Sequence, residues 1–234
     1  MKVAVHWSGG KECCLAYHKA VAQGHDVMYL LTFKYMEPYI FHSFPIMELQ
    51  SKAMRTHQIK TKIKNPKDPV PDILKALACL KKEAGIEGFV TGDIVGKACA
   101  RVHQVYYELI CDEVGLKLLM PVENPSGDTY DVLKEEISAG LCPIMYCVNS
   151  AYFGEEWLGR KLNENSIKEL KALTDKHNID ICSEDGVGYH TMVMDAPFFK
   201  EAIKIRKFSK KLDKGGKRPW LYMDSAKAVL IPKK

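Results

Sequence analysis

The chain has 234 residues, 47% of them hydrophobic and 27% charged, and a formal net charge of +5. That length buries a sizeable core, and the composition excludes disorder as the main state. The modest charge suits anionic ligands or an acidic partner, so nucleic acid is not expected. No apolar run reaches the about 20 residues that span a bilayer. Met1 to Trp7 leads straight into Ser-Gly-Gly without a signal-peptide core, so a cytoplasmic protein is expected. Cysteines 13, 14, 79, 99, 111, 142, 147 and 182 form no C-x-x-C pair. Reduced, mostly buried thiols are therefore expected rather than a disulfide framework.

In chain order, Val3 to Trp7 reads as a buried strand and Cys13 to Gln23 as a helix closed by Gly24. Val27 to Phe33 is a second β-favouring run, Ile46 to Thr56 a helix, and Ile59 to Ile63 a short strand. The breaker-rich loop Asn65 to Pro71 opens a helix that ends near Gly85. Gly88 to Ile94 is the next strand. The helix at 98–114, with Val102, Tyr106, Leu109 and Ile110 as its apolar positions, stops at Gly115, and Leu116 to Val122 closes the series. Strands separated by helices imply parallel pairing through right-handed crossovers, hence an α/β, doubly wound, mostly parallel sheet with ligands at the carboxyl ends of its strands.

At Asn124 to Asp128 the pattern changes, which places a domain boundary there: 1–122 and 123–234. A smaller C-terminal α+β domain is expected. It should hold helices at Tyr130 to Ala139 and Ser166 to His177, strands at Cys142 to Val148, near Ile181 and at Thr191 to Met194, and a β-favouring end from Leu221 to Ile231. The basic run from Lys200 to Arg218 reads as a solvated helix face and turn.

Ser8-Gly9-Gly10-Lys11-Glu12, between a strand and a helix, is the segment with a direct chemical purpose. Glycines let the backbone approach an anion, and the first N–H groups of the helix point at it with the dipole in support. Ser8 adds a hydroxyl donor and Lys11 a positive charge. Neither G-x-x-x-x-G-K-[ST] nor G-x-G-x-x-G is present, which argues against a P-loop hydrolase or a Rossmann enzyme. The segment resembles the pyrophosphate-loop motif S-G-G-x-D-S of the N-type ATP pyrophosphatases, with Glu12 for Asp and Cys13 for Ser. That resemblance implies an adenine nucleotide alpha hydrolase-like fold, and cleavage of ATP between the α and β phosphates to adenylate a substrate oxygen.

The rest of the chain, to roughly residue 205, resembles the diphthine–ammonia ligase family. Phe41-His42-Ser43 is similar to its F-H-[ST] segment, and Thr91-Gly92-Asp93-Ile94 to its strand end, with Arg101 placed like the arginine of the following helix. Glu136 to Asn149 resembles its E-x-I-x-x-G…V strand, and Leu158-Gly159-Arg160 its L-G-[RK] core. Glu184 to Thr191 followed by Asp195-Ala196-Pro197-Phe198-Phe199 resembles E-[NG]-G-E-[FY]-[EH]-T and D-x-P-x-F, with one extra residue and Gly188 in place of the second glutamate.

The resemblance implies an ATP-dependent amide ligase that adenylates the diphthine carboxylate of elongation factor 2 and aminates it with ammonia. Ser8, Gly9, Gly10, Lys11, Glu12, Cys13, Gly92, Asp93 and Arg101 are the expected ATP contacts, and Asp93 the expected Mg²⁺ ligand. His42, Glu184, Gly186, Tyr189, His190 and Thr191 are the expected substrate contacts, with Lys11, Glu184 and His190 catalytic. A homodimer is compatible with the sequence. Two alternatives stand beside this reading: a related adenylating enzyme acting on another carboxylate or a tRNA base, and a nucleotide-binding sensor without turnover.

Overall fold

The computed structural model describes residues 1–35, 40–182, 188–216 and 218–233. They form two compact units. The first comprises the described residues within 1–8, 12–39 and 55–123; the second comprises those within 9–11, 40–54 and 124–234.

The first unit is built on a parallel sheet of β1 (Lys2–His6), β2 (Asp26–Lys34), β3 (His57–Lys62), β4 (Gly88–Val90) and β5 (Lys117–Leu119), in the order β3-β2-β1-β4-β5. The chain steps outward in one direction from β1 to β3, then returns to β4 on the other side of β1. The order therefore reverses between β1 and β4, where open α/β sheets bind ligands beyond the carboxyl ends of their strands. Helices α1 (Lys11–Ala22), α3 (Val70–Ala84) and α4 (Ala98–Val114) belong to this fold. Leu31, Phe33, Ile73, Leu77, Phe89 and Ile110 are among the residues of one buried core. Strands buried on both faces read as continuous apolar runs, which is why Val3 to Val5 and Phe89 to Val90 carry no alternation.

Gly85 and Gly115 close α3 and α4 in the left-handed region, at φ 64° and 72°. The buried face of α4 is carried by Tyr107, Ile110 and Cys111. Val102 and Leu109, expected on that face, are 70% and 67% exposed. Their positions share the 3.6-residue period but lie on the opposite side of the helix.

The second unit holds α2 (Phe44–Met54), α5 (Thr129–Ser138), α6 (Glu164–His177) and an antiparallel sheet of β6 (Pro143–Asn149), β7 (Tyr189–Val193), β8 (Glu201–Asp213) and β9 (Trp220–Pro232), in the order β7-β6-β9-β8. Strand β6 is buried along its whole length. Asp128 caps α5, and Asn163 with Ser166 forms a capping box on α6.

Two expectations fail here. Ile181 lies in a turn, where its carbonyl accepts the Tyr189 hydroxyl. The basic run from Lys200 forms not a helix face but β8, paired with β9 from Glu201↔Pro232 to Asp213↔Trp220. Ile203 and Ile205 alternate with Lys204 and Arg206, but irregularities at Ile205/Lys207 and Lys207/Ser209 interrupt the period of two and hide the strand. Among the described residues no helix is long and apolar enough to cross a membrane.

Candidate active site

Two segments of the first unit meet at the sheet's switch point. Ser8 follows β1, and its hydroxyl lies 3.5 Å from the Cys13 sulfur at the start of α1. The Thr32 hydroxyl donates to the Trp7 carbonyl at 2.7 Å and anchors the chain just before the loop. After β4, Gly92 passes so close that a Cβ there would stand 2.7 Å from the Cys13 nitrogen and 2.8 Å from its Cα. Only glycine allows that approach, so the packing of Gly92 against Glu12 and Cys13 at the start of α1 is a steric requirement.

Beside them lies a polar cluster. Asp93 Oδ1 is 2.7 Å from Nδ1 of His103 on α4, and the Tyr107 hydroxyl is 3.4 Å from Nδ1 of His6. Burial opposes the charge on Asp93, but the hydrogen bond and charge of His103, with His6 and Thr91, outweigh it and hold the carboxyl below its usual range. The same hydrogen bond raises His103 against its partial burial. Burial pushes His6 down to about 4, with the Asp93 charge opposing, so His6 is neutral at physiological pH. Arg101 is exposed on the first turn of α4.

Gly9, Gly10 and Lys11 belong to the second unit, where their surroundings explain their conformation. Gly9 has φ 77°, and a Cβ on it would stand 2.5 Å from Gln50 Oε1 and 2.8 Å from Met192 Cε. Its carbonyl accepts from Val193 N at 3.0 Å and from Gln50 Nε2 at 2.9 Å; the same amide nitrogen also donates to the Val193 carbonyl. The backbone N–H of Lys11 donates to Thr191 Oγ1 at 3.1 Å. Helix α2 and strand β7 thus hold the loop from two sides.

The Lys11 side chain does not project toward solvent. It is 1% exposed; its Nζ donates to the Cys182 carbonyl at 3.1 Å, lies 3.9 Å from the fully buried Glu136, and sits 5.5 Å from the centre of the Tyr189 ring. The charge expected at the phosphates is engaged inside the second unit, because a buried ammonium needs a carboxylate and carbonyls around it.

His190 lies among Phe41, His42 and Trp220, with ring centres 4.5, 5.4 and 5.3 Å away. Burial first, then the charges of His42 and Lys11, hold its imidazole well below the usual range, so it is neutral at physiological pH. Tyr189 is 2% exposed, under Lys11, and its hydroxyl donates to the Ile181 carbonyl. Ser43 of the Phe-His-Ser segment accepts from Ile46 N at 3.4 Å at the start of α2. Glu184 and Gly186 lie outside the described residues.

Gln50, Glu136 and Trp220 were not singled out as site residues, although Glu136 opens the E-x-I-x-x-G segment. A glutamate on a helix three residues before an apolar stop carries no signal of its burial, and Gln50 carries none at all. Among the described residues no group of three or more His, Cys, Asp or Glu side chains forms a metal cage. Mg²⁺ beside phosphates does not need one, since phosphate and water oxygens complete its shell. The ionised Asp93 fits that smaller demand.

The family model for the diphthamide synthase N-terminal domain matches residues 1–118, and that for the diphthamide synthase C-terminal domain matches residues 128–230. The chain belongs to the diphthamide synthase family. It is an ATP pyrophosphatase-type ligase similar to diphthine–ammonia ligases. The diphthine–ammonia ligase of Danio rerio is 26% identical over 230 residues, covering 88% of this chain and 86% of that one. The Homo sapiens protein of the same name is 24% identical over 231 residues, covering 88% and 83%. A predicted subunit of tRNA methyltransferase from Methanocaldococcus jannaschii has a similar solved structure, at 13% identity and a TM-score of 0.44, covering 84% of this chain and 98% of that one.

Proposed function

We propose that this ligase converts diphthine on elongation factor 2 to diphthamide, using ATP and ammonia in the cytoplasm. One observation carries the reading: both halves of the chain match the diphthamide synthase family, with Gly92 packed against the start of α1 at the sheet's switch point. In the first step a carboxylate oxygen attacks the α phosphorus of ATP, and the bond to the bridging oxygen breaks as pyrophosphate leaves. In the second step ammonia attacks the acyl carbon. AMP leaves with the bonding electrons, and the nitrogen loses a proton as the amide forms.

The protein's part is positioning and charge neutralisation. Ser8 and the N–H groups at the start of α1 hold the phosphates. Gln50, Thr191 and the Lys11–Glu136 pair keep the loop in that shape. Asp93 would hold Mg²⁺, which when bound offsets phosphate charge. His190, held neutral beside His42 and Trp220, is in the form that hydrogen-bonds a substrate group rather than repelling a cation. A second reading, in which another carboxylate is activated, is favoured by Gly188. Its carbonyl accepts from Asn149 N at 2.8 Å, and it offers no side chain where the family pattern has a glutamate.

Incubation with α-labelled ATP, Mg²⁺, ammonium and diphthine-bearing elongation factor 2 tests the proposal. AMP, pyrophosphate and amidated factor are expected, and Ser8→Ala should lower turnover. ADP and phosphate as products would rule out the adenylating chemistry, whereas AMP formed only with another acceptor would keep the chemistry and move the substrate.

A further inference from the structure

Positive charge is concentrated in one part of this chain. Residues 200–218 carry nine Lys and Arg against two Asp and Glu, a net of +7, while the whole chain carries +5. The remaining 215 residues are therefore net negative, at −2. Residues 201–213 of the run form β8, which pairs with β9 in a ribbon of two 13-residue strands. Lys207 stands directly opposite Lys227 across it. Like charges so placed destabilise a ribbon, and an anion between them would relieve that cost.

At the root of the ribbon the second unit has a groove of about 750 Å³. Its floor is apolar, made by Ile144, Met194, Ile203 and Met223, each no more than 7% exposed. Its rim carries Lys161, Lys204, Arg206 and Lys207, all exposed. Among the described residues no carboxylate lies within ion-pair distance of these four. The rim's one acid, Asp195, is held by Lys233 at 2.7 Å.

We propose that this groove is a docking site for an acidic segment of a partner protein that inserts an apolar side chain. Charge alone would suit any polyanion, including RNA, but a nucleic-acid backbone has no use for an apolar floor. An acidic segment with a Leu or Phe anchor uses both features. Buried anchors carry most of the energy of such contacts, while the rim sets association rate and salt dependence. The site is independent of what the ATP site activates.

The test uses the 234-residue protein and a fluorescent Glu/Asp-rich peptide carrying one Phe, read by anisotropy at low and moderate salt. Binding should weaken with salt and by roughly tenfold when Phe is replaced by Ser. The Arg206→Glu/Lys207→Glu variant should lose about tenfold, whereas Lys214→Glu/Arg218→Glu, with the same net charge but away from the groove, should stay within about twofold. Cys142 lines the groove and is exposed, and Cys79, exposed on α3, lies in the other unit. Bound peptide should therefore slow alkylation of Cys142 and leave Cys79 unchanged. Equal losses from both charge variants, indifference to the Phe, or tighter binding of a single-stranded RNA that displaces the peptide would overturn the proposal. Unprotected Cys142 in the saturated complex would do so too.

Discussion

Removing the charge of Lys11 should show what that charge holds together. Lys11 and Glu136 are 1% and 0% exposed, and their charged atoms lie 3.9 Å apart. At an effective dielectric of about 20, unit charges at that separation attract by about 4 kcal/mol. Breaking such a pair from one side leaves a buried charge uncompensated, at a cost of about 3–5 kcal/mol. Lys11→Met should therefore lower stability by about 3 kcal/mol or more, a large part of a typical 5–15 kcal/mol total. Glu136→Leu should cost a similar amount.

Lys11→Met/Glu136→Leu, which removes both charges, should recover much of the loss, since a buried pair replaced by apolar side chains is often nearly neutral. Urea denaturation of the four proteins gives the coupling energy directly, with about 2–4 kcal/mol expected. Additivity within about 0.5 kcal/mol would refute the pair. Turnover of the double variant then separates two roles. A tether predicts ATP cleavage within about tenfold of the parent, and a loss of a thousandfold or more would mean that the Lys11 charge acts on the phosphates.

Gly92→Ala should destabilise by about 1–3 kcal/mol and abolish detectable ATP binding in calorimetry, because the three atoms nearest the new Cβ are backbone atoms of Glu12 and Cys13; normal binding would show that the approach is not required. Gln50→Ala removes a donor from the Val193 carbonyl and one of the two from the Gly9 carbonyl and should cost about 2 kcal/mol in urea titrations while raising the KM for ATP; an unchanged KM would detach α2 from the loop. His6 is held near 4 when folded and titrates near 6.5 when unfolded, so the unfolded chain binds the extra proton between those values. Its contribution is fully present above pH 6.5 and is lost as pH falls toward 4, by up to about 3 kcal/mol, so a parent and a His6→Phe variant that lose stability equally over that range would refute it.

Much of the first unit was legible because its signals are local. Apolar runs between Gly and Pro breaks marked the strands, and Gly85 and Gly115 marked helix ends at the residues that adopt positive φ. Strand β8 was not, because its irregular register scrambles the alternation that a strand shows in sequence. The apolar positions of α4 had the right period, but period does not say which side is covered, and Val102 and Leu109 lie on the uncovered one.

At the candidate site, Ser8-Gly9-Gly10 could be read as a phosphate loop because glycine next to a helix start has a conformational meaning by itself. Asp93 and His190 were read as site residues from their neighbours in sequence. The chain alone thus determined the fold class, the loop and the family to which its motifs belong. Tertiary structure decided what each charge faces. A lysine beside glycines reads as a phosphate ligand, and only the fold shows Glu136, 125 positions away, 3.9 Å from its charge. Burial and pairing arise from residues distant in sequence, and the free energy of a charge depends on them more than on its neighbours along the chain.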